Sequence, residues 1–157
     1  MTRIASRFRM LSILTGFLLV TAMPVLAATL YTAALDGPSS DTTSAASGYA
    51  TLILNSAETE VDYFIEYGGL EGNEIGGHFH NALPGQYGPR LQLLMGGSPK
   101  SGIWEVGPFE VGELNAGRVY INIHTDIYPS GEIRGNIEFA SVATEAASWG
   151  SVKALYK

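Results

Sequence analysis

From residue 60 the chain reads Glu60-Val61-Asp62-Tyr63-Phe64-Ile65-Glu66-Tyr67, a strict alternation of apolar and charged side chains broken only at Phe64. Successive side chains of an extended strand point to opposite faces. This run therefore predicts a half-buried strand with Val61, Tyr63, Ile65 and Tyr67 on its inner side. Gly131 to Phe139 repeats the logic, setting Ile133, Ile137 and Phe139 against Glu132, Arg134, Asn136 and Glu138. Further strands are expected over Thr29–Leu35, Gly48–Asn55, Ile75–Ala82, Arg90–Met95, Ser101–Val106 and Arg118–His124, with Phe109–Leu114 as a ninth candidate. Gly-Pro, Gly-Gly, Asn-Ala-Gly and Pro-Ser-Gly between them supply turn chemistry. Such spacing predicts an all-β fold, an antiparallel Greek-key or immunoglobulin-like β-sandwich. Gly37 to Ser47, rich in Ser, Thr and Ala, is expected to be a mobile loop.

The two ends of the chain break this pattern. Residues 1–27 read as a signal peptide. Arg3, Arg7 and Arg9 precede an apolar run from Met10 to Val20, and Val25-Leu26-Ala27 offers small residues for cleavage before Ala28. The run is shorter than the ~20 residues that span a bilayer. Residues 28–140 form the expected domain. In the tail, 141–157, Val142, Ala146, Trp149, Val152 and Tyr156 recur at helical spacing, which Gly150 weakens. The tail is expected to be loosely docked, or a short helix for a partner.

Loss of the leader removes three of nine basic residues and none of fifteen acidic ones, leaving a net charge of −9. An acidic surface without a basic run disfavours nucleic acid and anionic lipid and gathers cations. The chain has no cysteine. It can form no disulfide and carry no lipidated cysteine, so the domain must hold through its apolar core. The expected address is the periplasm or the cell exterior.

All three histidines fall in two short motifs, Gly77-His78-Phe79-His80 and Asn122-Ile123-His124-Thr125. Two residues apart on a strand, His78 and His80 share a face, their side chains roughly 6–7 Å apart. Phe79 between them is the natural core residue, as are Val119, Ile121 and Ile123 beside His124. A third imidazole from another strand would complete a metal-binding triangle, and imidazoles without a thiolate suit copper or zinc. The same histidines could instead form a hydrogen-bonded cluster, with Glu132 or Asp126 as carboxylate partner. Glu132 and Arg134 are expected to pair at the surface or to hold the Asn122–Thr125 loop. No nucleophile triad, paired-carboxylate site or phosphate loop is present, so catalysis is not the first expectation.

His78-Phe79-His80 leads into Gly85-Gln86-Tyr87-Gly88-Pro89. Ala116-Gly117-Arg118, Tyr120-Ile121-Asn122-Ile123-His124-Thr125 and Gly131-Glu132-Ile133-Arg134-Gly135 follow in order. Over about Leu30 to Phe139 this succession resembles the CHRD domain, named for repeats in chordin and found in exported bacterial proteins. Asp36-Gly37-Pro38-Ser39-Ser40 replaces the Glu-Val-Pro-Pro-like stretch often found in the family's first loop. The resemblance implies an exported immunoglobulin-like sandwich; in chordin such repeats belong to an extracellular protein that binds growth factors, and fold kinship alone does not carry that function over. The histidine pattern is also similar to part of copper–zinc superoxide dismutase, a Greek-key barrel in which His78, His80, His124 and Arg134 would match copper ligands and an anion-steering arginine. That enzyme's bridging histidine and zinc loop have no counterpart here. Three functions follow as expectations: a binding protein with a three-histidine Cu or Zn site, a dismutase-like copper enzyme, or a metal-free adhesion module for a protein ligand.

Overall fold

Residues 28–140 are described by a computed structural model; residues 1–27 and 141–157, where a leader and a docked or helical tail are expected, lie outside them. Among the described residues nine strands run in chain order: β1 Thr29–Asp36, β2 Ser47–Leu54, β3 Glu60–Gly68, β4 Glu74–Asn81, β5 Arg90–Leu94, β6 Lys100–Glu105, β7 Val119–Thr125, β8 Ile133–Asn136 and β9 Glu138–Phe139. One helix, α1 Pro108–Asn115, joins β6 to β7. All strand pairs are antiparallel, in the order β5-β4-β7-β8-β1-β2-β3-β6, with β9 beside β1.

The sheet folds over on itself at a narrow joint. Between β8 and β1 only Asp36 and Arg134 are in register, so two four-stranded halves can face each other across a common core. Tyr63 of β3 meets Phe79 of β4 edge-on at 5.4 Å, and Phe79 lies 4.9 Å from Trp104 of β6. The expected alternation holds along β3, where Val61, Tyr63, Ile65 and Tyr67 are buried and the residues between them exposed. Ile121, Ile123 and Ile133 are fully buried in the same cluster.

The two free edges, β5 and β6, leave the barrel one seam short of closure. Lys100, at the start of β6 and 2 % exposed, spans it. Its ammonium donates to Glu74 Oε1 of β4 and to the Met95 carbonyl just after β5, each at 2.5 Å. Glu74 Oε2 also accepts from the Tyr67 hydroxyl and the Gly97 N–H. The charge taken out of water is thus paired and hydrogen-bonded, the condition under which burial is tolerated.

Three expectations need correction. Phe109–Leu114 is helical, not a strand. Pro108 fills the first helical turn, where its missing N–H costs nothing, and Glu110 accepts from the Gly107 N–H at 2.9 Å. The helix buries Val111 and Leu114, three apart, and Asn115 accepts from the Tyr31 hydroxyl at 2.6 Å. Residues 37–47 are packed rather than free. Pro38–Ser40 forms a 3-10 turn, and Ser40, Ser44 and Ala46 are buried. Phe139 faces solvent, 66 % exposed.

Candidate metal centre

Phe79 turns into the core, so the strand's period carries its neighbours His78 and His80 to the outer face of β4. On β7, Ile121 and Ile123 turn inward, which puts Tyr120, Asn122 and His124 on that same outer face. In the β4–β7 register, His80 lies opposite Tyr120, His78 opposite Asn122, and Gly76 opposite His124. Gly76 lies beside the cluster: a Cβ there would touch His78 Cε1 at 3.4 Å, an ordinary van der Waals contact. The ring centroids are 5.0 Å apart for His78 and His124, 5.4 Å for His78 and His80, and 5.9 Å for His80 and His124.

Backbone carbonyls set the orientation of two of these rings. His80 Nδ1 lies 2.9 Å from the Gly88 carbonyl, and His124 Nδ1 lies 3.0 Å from the Pro129 carbonyl. A carbonyl only accepts, so Nδ1 carries the proton in both rings and Nε2 keeps its lone pair. His80 Nε2, His124 Nε2 and His78 Nδ1 are buried and have no hydrogen-bond partner. One ring nitrogen from each histidine lies within 4.8 Å of the others. Two nitrogens bound to one ion at ~2.0–2.1 Å stand ~3.4 Å apart at tetrahedral angles, so the rings need only a modest inward swing.

The site favours neutral rings. Burial lowers the His78 pKa to about 4, helped by His124, His80 and Arg90. Burial also lowers His80 and His124, outweighing the carbonyl bonds that favour their charged forms. Neutral imidazole is the form that binds metal.

Two loops hold the ring-orienting carbonyls, and motif residues hold the loops. Over His80, the Gly88 N–H donates to the Tyr120 hydroxyl and Arg134 Nη1 donates to the Gln86 carbonyl at 2.7 Å. Position 88 admits only glycine, because a Cβ would fall 1.8 Å from the Asn81 carbonyl oxygen. Tyr120 lies flat on His80, 5.0 Å between centroids and 14° between planes, and the Arg134 guanidinium sits 3.5 Å from the Tyr120 ring centre. Over His124, Asn122 donates to the Ser130 carbonyl at 2.9 Å. Gly131 adopts φ +125° against Asn122, where a Cβ would clash at 2.1 Å.

Glu132 and Arg134 do not pair with each other; both are buried, with separate partners. Glu132 accepts from Thr125 Oγ1 at 2.8 Å, Ser44 Oγ at 2.7 Å, and the Glu71 and Gly72 N–H groups. It ties the loop after β1, the loop after β3 and the end of β7 into one unit. Asp126 is exposed and accepts from the Asn73 backbone and side chain at 2.8 and 2.9 Å. Neither carboxylate touches an imidazole; the partners expected there are replaced by the Gly88 and Pro129 carbonyls. Backbone partners of this kind leave no mark in residue identity, although the glycines that admit them do. Arg90 reaches the third ring, with Nη1 3.4 Å from His78 Nε2.

The sequence matches the CHRD domain family over residues 31–137, more than half its length. The chain belongs to the CHRD domain family. No curated protein and no solved structure matches it. Most of the residues described above lie in the matched span, so the CHRD motifs hold two positions of one face: the Gly88 loop over His80 and the Asn122–Glu132 unit behind His124. Among the described residues no helix is long and apolar enough to cross a membrane.

Proposed function

We propose that this CHRD protein binds one copper or zinc ion through His78 Nδ1, His80 Nε2 and His124 Nε2, leaving a coordination position open. One observation carries the reading: three clustered histidines each bury a ring nitrogen with no partner and bring one nitrogen apiece within 4.8 Å of the others, while carbonyls hold the opposite nitrogen of two of the rings. Leaving a buried polar atom unpaired costs about 1–3 kcal/mol, and an ion would satisfy three at once. An all-imidazole set with no thiolate or carboxylate suits Cu or Zn better than Mg or Ca. The carbonyl partners are the outer support that ligating histidines ordinarily have.

The reading includes export, which rests on the leader pattern in residues 1–27 and on the family resemblance. The domain works by binding rather than by catalysis. The engagement of Arg134 with Tyr120 and Gln86 supports a role in holding the loop over His80.

Calorimetric titration of Cu(II) and Zn(II) into the wild type and His80→Ala tests the site. One equivalent should bind the wild type and bind the variant at least ~10-fold more weakly, since losing even an outer-shell partner typically costs that much. Equal binding by both proteins would refute the reading.

A further inference from the structure

Arg90 Nη1 faces His78 Nε2 at 3.4 Å. Arginine can only donate, so His78 Nε2 must be the acceptor and the ring proton must sit on Nδ1. That is also the nitrogen of His78 that is buried without a partner, and so the one assigned above to the ion. An ion held there needs the Nδ1 lone pair, and the neutral ring then carries its proton on Nε2. The proton leaves Nδ1 and returns at Nε2 through water, with no net gain or loss. Metal binding therefore leaves two donors, His78 Nε2–H and the Arg90 guanidinium, facing each other with no acceptor between them.

The charges add to this conflict. A divalent ion on three neutral imidazoles brings two positive charges beside that of Arg90. Neither ion pair among the described residues involves Arg90, and Glu132 and Asp126 are committed elsewhere. Arg90 is exposed on the β5 edge, opposite His80 in register, so solutes can reach it.

Resting on the three-histidine reading, we propose that His78 and Arg90 form a seat for a compact oxyanion that exists only when the metal is bound. The anion accepts from His78 Nε2–H and from the guanidinium, so metal and anion each favour the other's binding, as linkage requires. Without an anion, Arg90 opposes the metal by holding the His78 proton on the ligating nitrogen.

The experiment titrates Zn(II) into the wild type, Arg90→Ala and Arg90→Lys, in sodium perchlorate and in sodium sulfate at matched ionic strength. Sulfate should tighten zinc binding to the wild type about 5-fold or more, within the usual range of coupling between two sites. Arg90→Lys should keep that dependence in the same direction. Arg90→Ala should lose it, and in perchlorate should bind zinc at least as tightly as the wild type. Nitrogen-15 spectra of the His78 ring should move the proton from Nδ1 to Nε2 on loading. Zinc binding with no sulfate dependence, or with the same dependence in Arg90→Ala, would overturn the seat and leave the three-histidine site intact. Failure of both Zn(II) and Cu(II) to bind the wild type would overturn both.

Discussion

Lys100 and Glu74 stand on strands that never pair, yet their side chains meet and close the last seam of the barrel. The pair replaces the backbone hydrogen bonds that a closed sheet would have between β5 and β6. Its Coulomb attraction is strong because the ammonium is fully buried. The cost of removing one partner is correspondingly large, since the other charge is left in the protein without compensation.

Lys100→Met should therefore destabilise the domain by about 3–5 kcal/mol, as breaking a buried pair does. The double variant Lys100→Met with Glu74→Gln should recover part of that loss, because no charge is then stranded. Urea unfolding of the three proteins checks this. A single variant within ~1 kcal/mol of the wild type would mean that the ammonium reaches water.

Glu132 should make the domain acid-sensitive. Burial by itself would raise its pKa, but the Glu71 N–H, the Ser44 and Thr125 hydroxyls and the Gly72 N–H outweigh it and hold the carboxyl below its ordinary 4.5. A group depressed in the folded state adds stability above its unfolded pKa, and that stability is lost as pH falls through the folded one. Stability should thus fall more steeply below about pH 4.5 in the wild type than in Glu132→Gln, although the variant starts lower. Parallel curves from pH 5 to pH 3 would count against this assignment.

Much of this fold was legible because a strand's period is two. Val61, Tyr63, Ile65 and Tyr67 announced an inner face, and Phe79 and Ile123 fixed on which side His78, His80 and His124 must lie. Alternation tells which face a residue takes, not whether that face is wet. Glu132 and Arg134 sit on the outer side as their positions require, yet loops cover them and both are buried. Lys100 is hidden by the same logic, at a seam that exists only after the sheet has folded over. Phe109–Leu114 reads as a strand yet lies within the helix Pro108–Asn115, because so short a segment with Gly112 inside shows too little period to separate helix from strand.

Gly88→Ala should impair the metal site more than the fold. The added methyl cannot fit against the Asn81 carbonyl, so the loop must lift and take the Gly88 carbonyl from His80 Nδ1. Loss of such an outer partner typically weakens metal binding about 10–100-fold. Calorimetry with Cu(II) and Zn(II), beside an unfolding curve, should show a larger change in affinity than in stability. Unchanged affinity would mean that His80 does not depend on this loop.

Ion binding should also appear as folding stability, because the unfolded chain does not hold the three rings together. A ligand at 100 times its Kd stabilises the state that binds it by about 2.7 kcal/mol. For a domain of this size that corresponds to a rise in Tm of roughly 4–8 °C per kcal/mol at the small end of the range and less above it. Zn(II) should therefore raise Tm by several degrees, EDTA should reverse the rise, and His124→Ala should not respond. His124 is the decisive position, since it alone comes from β7: without it the two β4 rings remain a same-strand pair that an unfolded chain can also offer. A variant that responds as fully as the wild type would place the ion away from the convergence of β4 and β7.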